Sequence, residues 1–153
     1  MFISDLLSIQ QIIPNLKATS KKQALTELAC FAGAQLGIEQ QIILDGLYER
    51  ERLGSTGVGH GVAVPHAKLS ELDKIYVILA RLKNPIDFQS VDNLKVNVVM
   101  MILSPEEAGG DYLTVLASTA RLFHDERTLA HIRGSESADA ILAVINEFDH
   151  KGS

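Results

Sequence analysis

The chain has 153 residues, 46% hydrophobic and 22% charged, which is enough apolar sequence for one buried core and too ordinary a balance for extensive disorder. A net charge of −5, with no Lys/Arg cluster beyond pairs such as Lys21-Lys22, argues against nucleic acid, because phosphate neutralisation needs a basic patch. The single cysteine, Cys30, closes no intrachain disulfide, no secretory signal opens the chain, and no apolar run approaches membrane-spanning length, so the expectation is a cytoplasmic single domain over 1–153 with no membrane insertion.

Taken in chain order, Leu6-Leu7 and Ile12-Ile13-Pro14 read as short extended pieces. Ser20 is a candidate N-cap for a helix through Leu36. Its apolar stripe is Ala24, Leu25, Leu28, Ala29 and Ala32, and Gly37 stops it. Cys30 leans inward on that helix and reads as a small buried hydrophobe. A second helix is expected over about Glu39 to Arg52, with Ile42, Ile43, Gly46 and Leu47 inward and Gly54 as terminator. Val62-Ala63-Val64 is short enough to be a small strand.

Ile75 through Leu82 and Val96 through Leu103 are β-rich and apolar throughout, the pattern of buried strands. Lys83-Asn84-Pro85-Ile86-Asp87 between them is turn chemistry. From Gly110 the periodicity is helical, with Leu113, Leu116, Ala120 and Phe123 on one face. A short helix near Arg127 to Arg133 ends at Gly134. Ser135 or Ser137 caps a last one carrying Ile141, Leu142, Ile145 and Phe148. Doubly apolar strands interspersed with helices predict a three-layer α/β/α sandwich with a central mixed β-sheet flanked by helices.

The richest stretch is Gly57-Val58-Gly59-His60-Gly61-Val62-Ala63-Val64-Pro65-His66-Ala67. Glycines let the chain turn freely, and Pro65 restricts both its own φ and the conformation of Val64, so the backbone that presents His66 is closely determined. An imidazole so placed is a nucleophile, a general base, a metal ligand, or simply a packed loop histidine with both nitrogens satisfied. His60 and His66 make only two ligands, with no cysteine or acid between them, where zinc needs three or four; no metal is expected. Ser55 and Thr56 are nearby hydroxyls and Asp73 or Asp87 could orient an imidazole, but no Gly-x-Ser-x-Gly elbow supports a triad. The phosphate-cradling Gly-x4-Gly-Lys-Ser/Thr loop is absent too. Arg50, in Tyr48-Glu49-Arg50-Glu51-Arg52, is either part of a solvated helix end or a guanidinium reaching an anion on His66.

Glu51, six residues, then Val58 through Ala67 resembles the phosphohistidine signature of type-2 IIA domains of the bacterial phosphotransferase system. Arg50-Glu51-Arg52-Leu53-Gly54-Ser55-Thr56-Gly57 resembles its nitrogen-regulatory branch. The likeness extends over nearly the whole chain. It implies a phosphoryl carrier with no cofactor, in which His66 takes the group from an HPr-type phosphocarrier protein. Sugar-transporting members then pass it to a IIB domain. In the nitrogen branch the phosphorylation state governs binding to regulatory targets such as a sensor kinase or a potassium transport system. Arg50 carries over as the arginine facing the phosphate, with the loop around Ser55, Thr56 and Gly57 supplying amides. By the same analogy Nε2 is phosphorylated and Nδ1 is held by a backbone carbonyl.

One feature departs from the family pattern. Many members carry a second histidine near the start of the helix that here begins Asp111-Tyr112-Leu113-Thr114. Tyr112, Thr114 or His60 is expected to take its place, and His124 is too far along the helix to do so. Two other outcomes stay open: a sugar-specific IIA component, and a binding module whose histidine is never phosphorylated.

Overall fold

The computed structural model describes residues 2–151. Its strands are β1 (Ile12–Ile13), β2 (Gly57–Gly59), β3 (Val62–Ala63), β4 (His66–Leu69), β5 (Tyr76–Ile86) and β6 (Val96–Pro105). Its helices are α1 (Lys21–Leu36), α2 (Gln40–Glu51), α3 (Gly110–His124), α4 (Glu126–Gly134) and α5 (Ala138–Lys151). The sheet runs in the order β1-β5-β6-β3-β2, with β4 also on β6. β5 and β6 are antiparallel, β1 is parallel to β5, and β3 and β4 are both parallel to β6. The mixed sheet covered on both sides is the architecture the sequence predicts.

The two long strands lack polar alternation because both faces are covered. On β5, Val77 and Leu79 point to one face, and Ile78, Ala80 and Leu82 to the other. On β6, Val98, Met100 and Ile102 oppose Val99, Met101 and Leu103. One core joins these to Leu25, Leu28, Ile43 and Leu47 of α1 and α2; the other joins them to Val115, Leu122, Leu129, Ile132, Ile141 and Ile145 of α3 to α5.

The helix ends behave as their residues dictate. The Ser20 side chain accepts from the Gln23 amide at 3.1 Å, and Gly37 closes α1 at φ +68°. At α5 the cap is Ser137, whose Oγ accepts from the Ala140 amide at 3.1 Å, while the Ser135 hydroxyl donates back to the His131 carbonyl.

Three expectations fail, and one strand, β4, goes unpredicted. Leu6-Leu7 is not extended: both amides donate to the Ile3 carbonyl, closing a 3-10 turn that sinks Ile3 and Leu7 into the α3–α5 core. Lys83-Asn84-Pro85-Ile86 is not a turn but the end of β5. The pairing slips between Arg81↔Val98 and Ile86↔Val96, and the bulge accommodates a proline that has no N–H to donate. Cys30 is exposed, one residue past Ala29 and so about 100° around α1 from the buried stripe. Finally, β4 resumes pairing with β6 directly after Pro65, whose carbonyl accepts from the Ile102 amide at 3.0 Å.

Candidate functional site

His66 is the first residue of β4, and its setting is built from α2, the β2–β4 segment and α3. α2 lies close on β4 at Gly46: a Cβ there would stand 3.2 Å from both Ala67 Cβ and Leu69 Cδ2. That approach carries Arg50, one turn later, to the imidazole.

The Val64 carbonyl lies 2.8 Å from His66 Nδ1. A carbonyl only accepts, so Nδ1 carries the proton and Nε2 keeps its lone pair, which accepts from Arg50 Nε at 3.0 Å. Arg50 Nη1 donates to the Gly54 carbonyl at 2.9 Å, holding the guanidinium in place. Burial pushes the His66 pKa below its ordinary 6.5; the Val64 hydrogen bond opposes this, Arg50 adds to it and Glu51 opposes it. The site therefore presents a neutral imidazole with one oriented, basic nitrogen at neutral pH.

Behind Arg50, the Glu51 carboxylate is buried and saturated. It accepts from the Thr56 amide at 3.0 Å and the Thr56 hydroxyl at 2.5 Å, and it pairs with Lys21 Nζ at 2.7 Å. Ser55 Oγ donates to the Phe88 carbonyl at 2.7 Å and accepts from the Gly57 amide at 3.0 Å. The amides of Thr56 and Gly57, expected to face a phosphate, are thus turned onto the side chains of Glu51, at the end of α2, and of Ser55. The sequence reading missed Glu51 as the anchor of this loop. Its signal was available: an acid flanked by arginines, six residues ahead of the glycine-rich run.

Of the candidates to replace a second histidine, Tyr112 reaches His66. The two rings are 5.9 Å apart, tilted by 56°. Burial raises the Tyr112 pKa above its usual 10, against a smaller opposing effect of Arg50, so the phenol keeps its proton. Thr114 is exposed and its hydroxyl donates to the Gly110 carbonyl at 3.0 Å. His60 occupies the two-residue turn of the β2–β3 hairpin at φ +57°, followed by Gly61 at φ +79°, the signs of a type I′ turn. Its amide donates to Asp92 Oδ2 at 2.9 Å, and its carbonyl accepts from the Arg133 guanidinium.

A cleft of about 350 Å³ beside His66 is walled by Val58, Val64, Leu116 and Phe123, and His60 and His124 also line it. Leu116, Ala120, Phe123 and His124 share a helical face of α3 that lines the cleft. On another side of His66, a cavity of about 390 Å³ is lined by Arg50, Leu53, Lys68, Glu106 and Tyr112. Among the described residues, no group of three or more His, Cys, Asp or Glu could hold a metal ion, and no helix is long and apolar enough to cross a membrane.

Residues 5–148 match the family model described as phosphoenolpyruvate-dependent sugar phosphotransferase system, EIIA 2. The chain is 46% identical over 145 residues to a nitrogen regulatory protein of Bradyrhizobium diazoefficiens, with 95% of each covered. It is 35% identical to a nitrogen regulatory protein homolog of Haemophilus influenzae over 153 residues, covering 97% of this chain and 93% of the other. Its fold is similar to the crystal structure of nitrogen regulatory protein IIA-Ntr from Neisseria meningitidis, with TM-score 0.88, 27% identity, and coverage of 94% and 98%. Similar to nitrogen regulatory proteins in both sequence and fold, the chain belongs to the EIIA type-2 family of the phosphoenolpyruvate-dependent sugar phosphotransferase system.

Proposed function

We propose that this chain is a phosphoryl carrier of the nitrogen-regulatory type, with His66 Nε2 as the acceptor and an HPr-type phosphohistidine protein as the donor. The observation that carries this reading is the oriented lone pair: Nδ1–H is held by the Val64 carbonyl, and Nε2 faces Arg50. In the step, the Nε2 lone pair forms a bond to phosphorus while the donor's N–P bond breaks and its electron pair returns to the donor nitrogen. The positive charge of the donor's protonated phosphoimidazole passes to the His66 ring, whose Nδ1–H stays on Val64. No proton moves.

Arg50 caps the lone pair at rest, so it must move aside for the attack, and the arriving phosphoryl oxygens are the stronger acceptors for its fork of donors. Phosphoryl transfer is chiefly a matter of positioning and charge stabilisation; the Val64 carbonyl serves the first, and Arg50, once off the lone pair, the second. The exposed Leu53 and Leu113, 84% and 67% accessible, offer an apolar rim suited to brief partner contacts. The resulting phosphorylation state would set which regulatory proteins the chain binds, a sensor kinase or a potassium transport system being the classes the family resemblance suggests.

The test is phosphotransfer from phosphoenolpyruvate through enzyme I and HPr. The expected result is an acid-labile, alkali-stable label on the wild type that His66→Ala loses entirely. Label retained by His66→Ala overturns the assignment. Transfer onward to a IIB domain would instead place the chain among the sugar-specific components.

A further inference from the structure

The pairing of β4 orients a second cation towards His66. Strand alternation turns Ala67 and Leu69 into the α1/α2 core and leaves His66 and Lys68 together on the opposite side. Lys68 Nζ stands 5.3 Å from the centroid of the Tyr112 ring, the same ring that lies 5.9 Å from the imidazole. Lys68, Arg50, Tyr112 and His66 line one cavity, with Glu49 and Glu106 as its acidic members. Among the described residues Lys68 is in no ion pair, so its ammonium rests on an aromatic face and is not neutralised by a carboxylate. Tyr112 thus bridges a free cation and the nucleophile.

We propose that Lys68 is the second phosphate-binding cation of this site. Once His66 Nε2 carries the phosphoryl group, the Lys68 ammonium leaves the Tyr112 ring and pairs with the phosphoryl oxygens, on a different side from Arg50. The inference rests on His66 being the phosphoacceptor. It follows from chemistry already in place: the phosphoryl group brings negative charge to a site where one donor of Arg50 is held by the Gly54 carbonyl and the Lys21 cation is already paired with Glu51. A flexible, exposed lysine on the facing side can follow that charge, whereas the ring contact it leaves is the weaker interaction. Lys68 takes no part in making or breaking bonds; the electron pairs move as in the transfer step above.

The experiment measures the equilibrium constant for phosphoryl transfer between HPr and the chain, for wild type, Lys68→Met and Lys68→Arg. An equilibrium constant between free proteins is blind to how well they dock, so a lysine that only guides the donor would slow transfer without shifting it. The expected result is a shift of about fivefold to tenfold towards phospho-HPr for Lys68→Met, the scale of one charge-assisted pair at a part-exposed site, with Lys68→Arg within twofold of wild type. A 31P titration of the phosphoprotein should also show a higher phosphoryl pKa in Lys68→Met. An unshifted equilibrium constant in Lys68→Met, with wild type labelled normally, overturns the role of Lys68 alone. Failure of wild type to accept the group on His66 overturns the acceptor assignment and this inference with it.

Discussion

His66 is approached from two sides built in contrasting ways. On the α2 side, a chain of polar contacts surrounds Arg50: Glu51 binds Lys21 and both donors of Thr56, Ser55 bridges Phe88 and Gly57, and Arg50 is tied to Gly54. On the α3 side, Gly109 opens the helix at φ +60° with no side-chain cap, Leu113 and Thr114 face solvent, and Tyr112 meets His66 through ring packing alone. The first side is preorganised at the expense of burying charge. The second leaves surface uncommitted. For the proposed carrier this division is useful, since the chemistry needs fixed dipoles while the choice of partner needs exposed side chains.

The contrast is broken most severely at Glu51. Glu51→Ala leaves the part-buried Lys21 without its counter-charge and strips two bonds from Thr56, which should cost about 2 kcal/mol of stability. Denaturant unfolding with an unchanged slope and a lower midpoint is the expected outcome. If Glu51→Ala costs no more than an exposed substitution, within about 0.5 kcal/mol, the α2 side is not held by this network.

Arg50→Met tests the same side at the level of chemistry. Loss of the guanidinium should slow phosphorylation by about 100-fold, the scale of one preorganised electrostatic donor. The His66 pKa should rise at the same time, because Arg50 contributes to lowering it. The sign for stability follows. With a folded-state pKa below 6.5, the unfolded chain binds the extra proton first, so stability contributed by neutral His66 is complete above about pH 6.5 and declines as pH falls towards the folded value. In Arg50→Met that window narrows. An NMR titration of the His66 ring in both proteins checks the direction, and an unchanged or lower pKa in the variant contradicts the contact.

The two sides were unequally legible from the sequence. Caps and stripes are local, so α1 could be placed from Ser20, Gly37 and the spacing of its leucines and alanines. His66 and Arg50 also stood out, because a proline, several glycines and a basic helix end constrain what those side chains can do. What stayed hidden depends on partners distant in the chain. β4 is four residues long, follows a proline and contains an exposed lysine, and only its ladder with β6 makes it a strand. Without β4 there was no alternation to place Lys68 beside His66.

The exposed approach has its own weak point, and it lies in the backbone. His60 holds φ at +57° in a turn whose second residue is Gly61, and a non-glycine side chain in this region is strained unless it suits the left-handed conformation. Asparagine does, and Asn-Gly is the preferred pair for a two-residue type I′ hairpin. The main-chain bonds of the turn, from the His60 amide to Asp92 and from Arg133 to the His60 carbonyl, do not depend on the imidazole. His60→Asn should therefore stabilise the chain by about 0.5 kcal/mol, the scale of relief at a strained turn position. A measured loss of stability would mean that the imidazole itself holds the hairpin against α3. The exposed side would then be locked by side-chain contacts as the α2 side is.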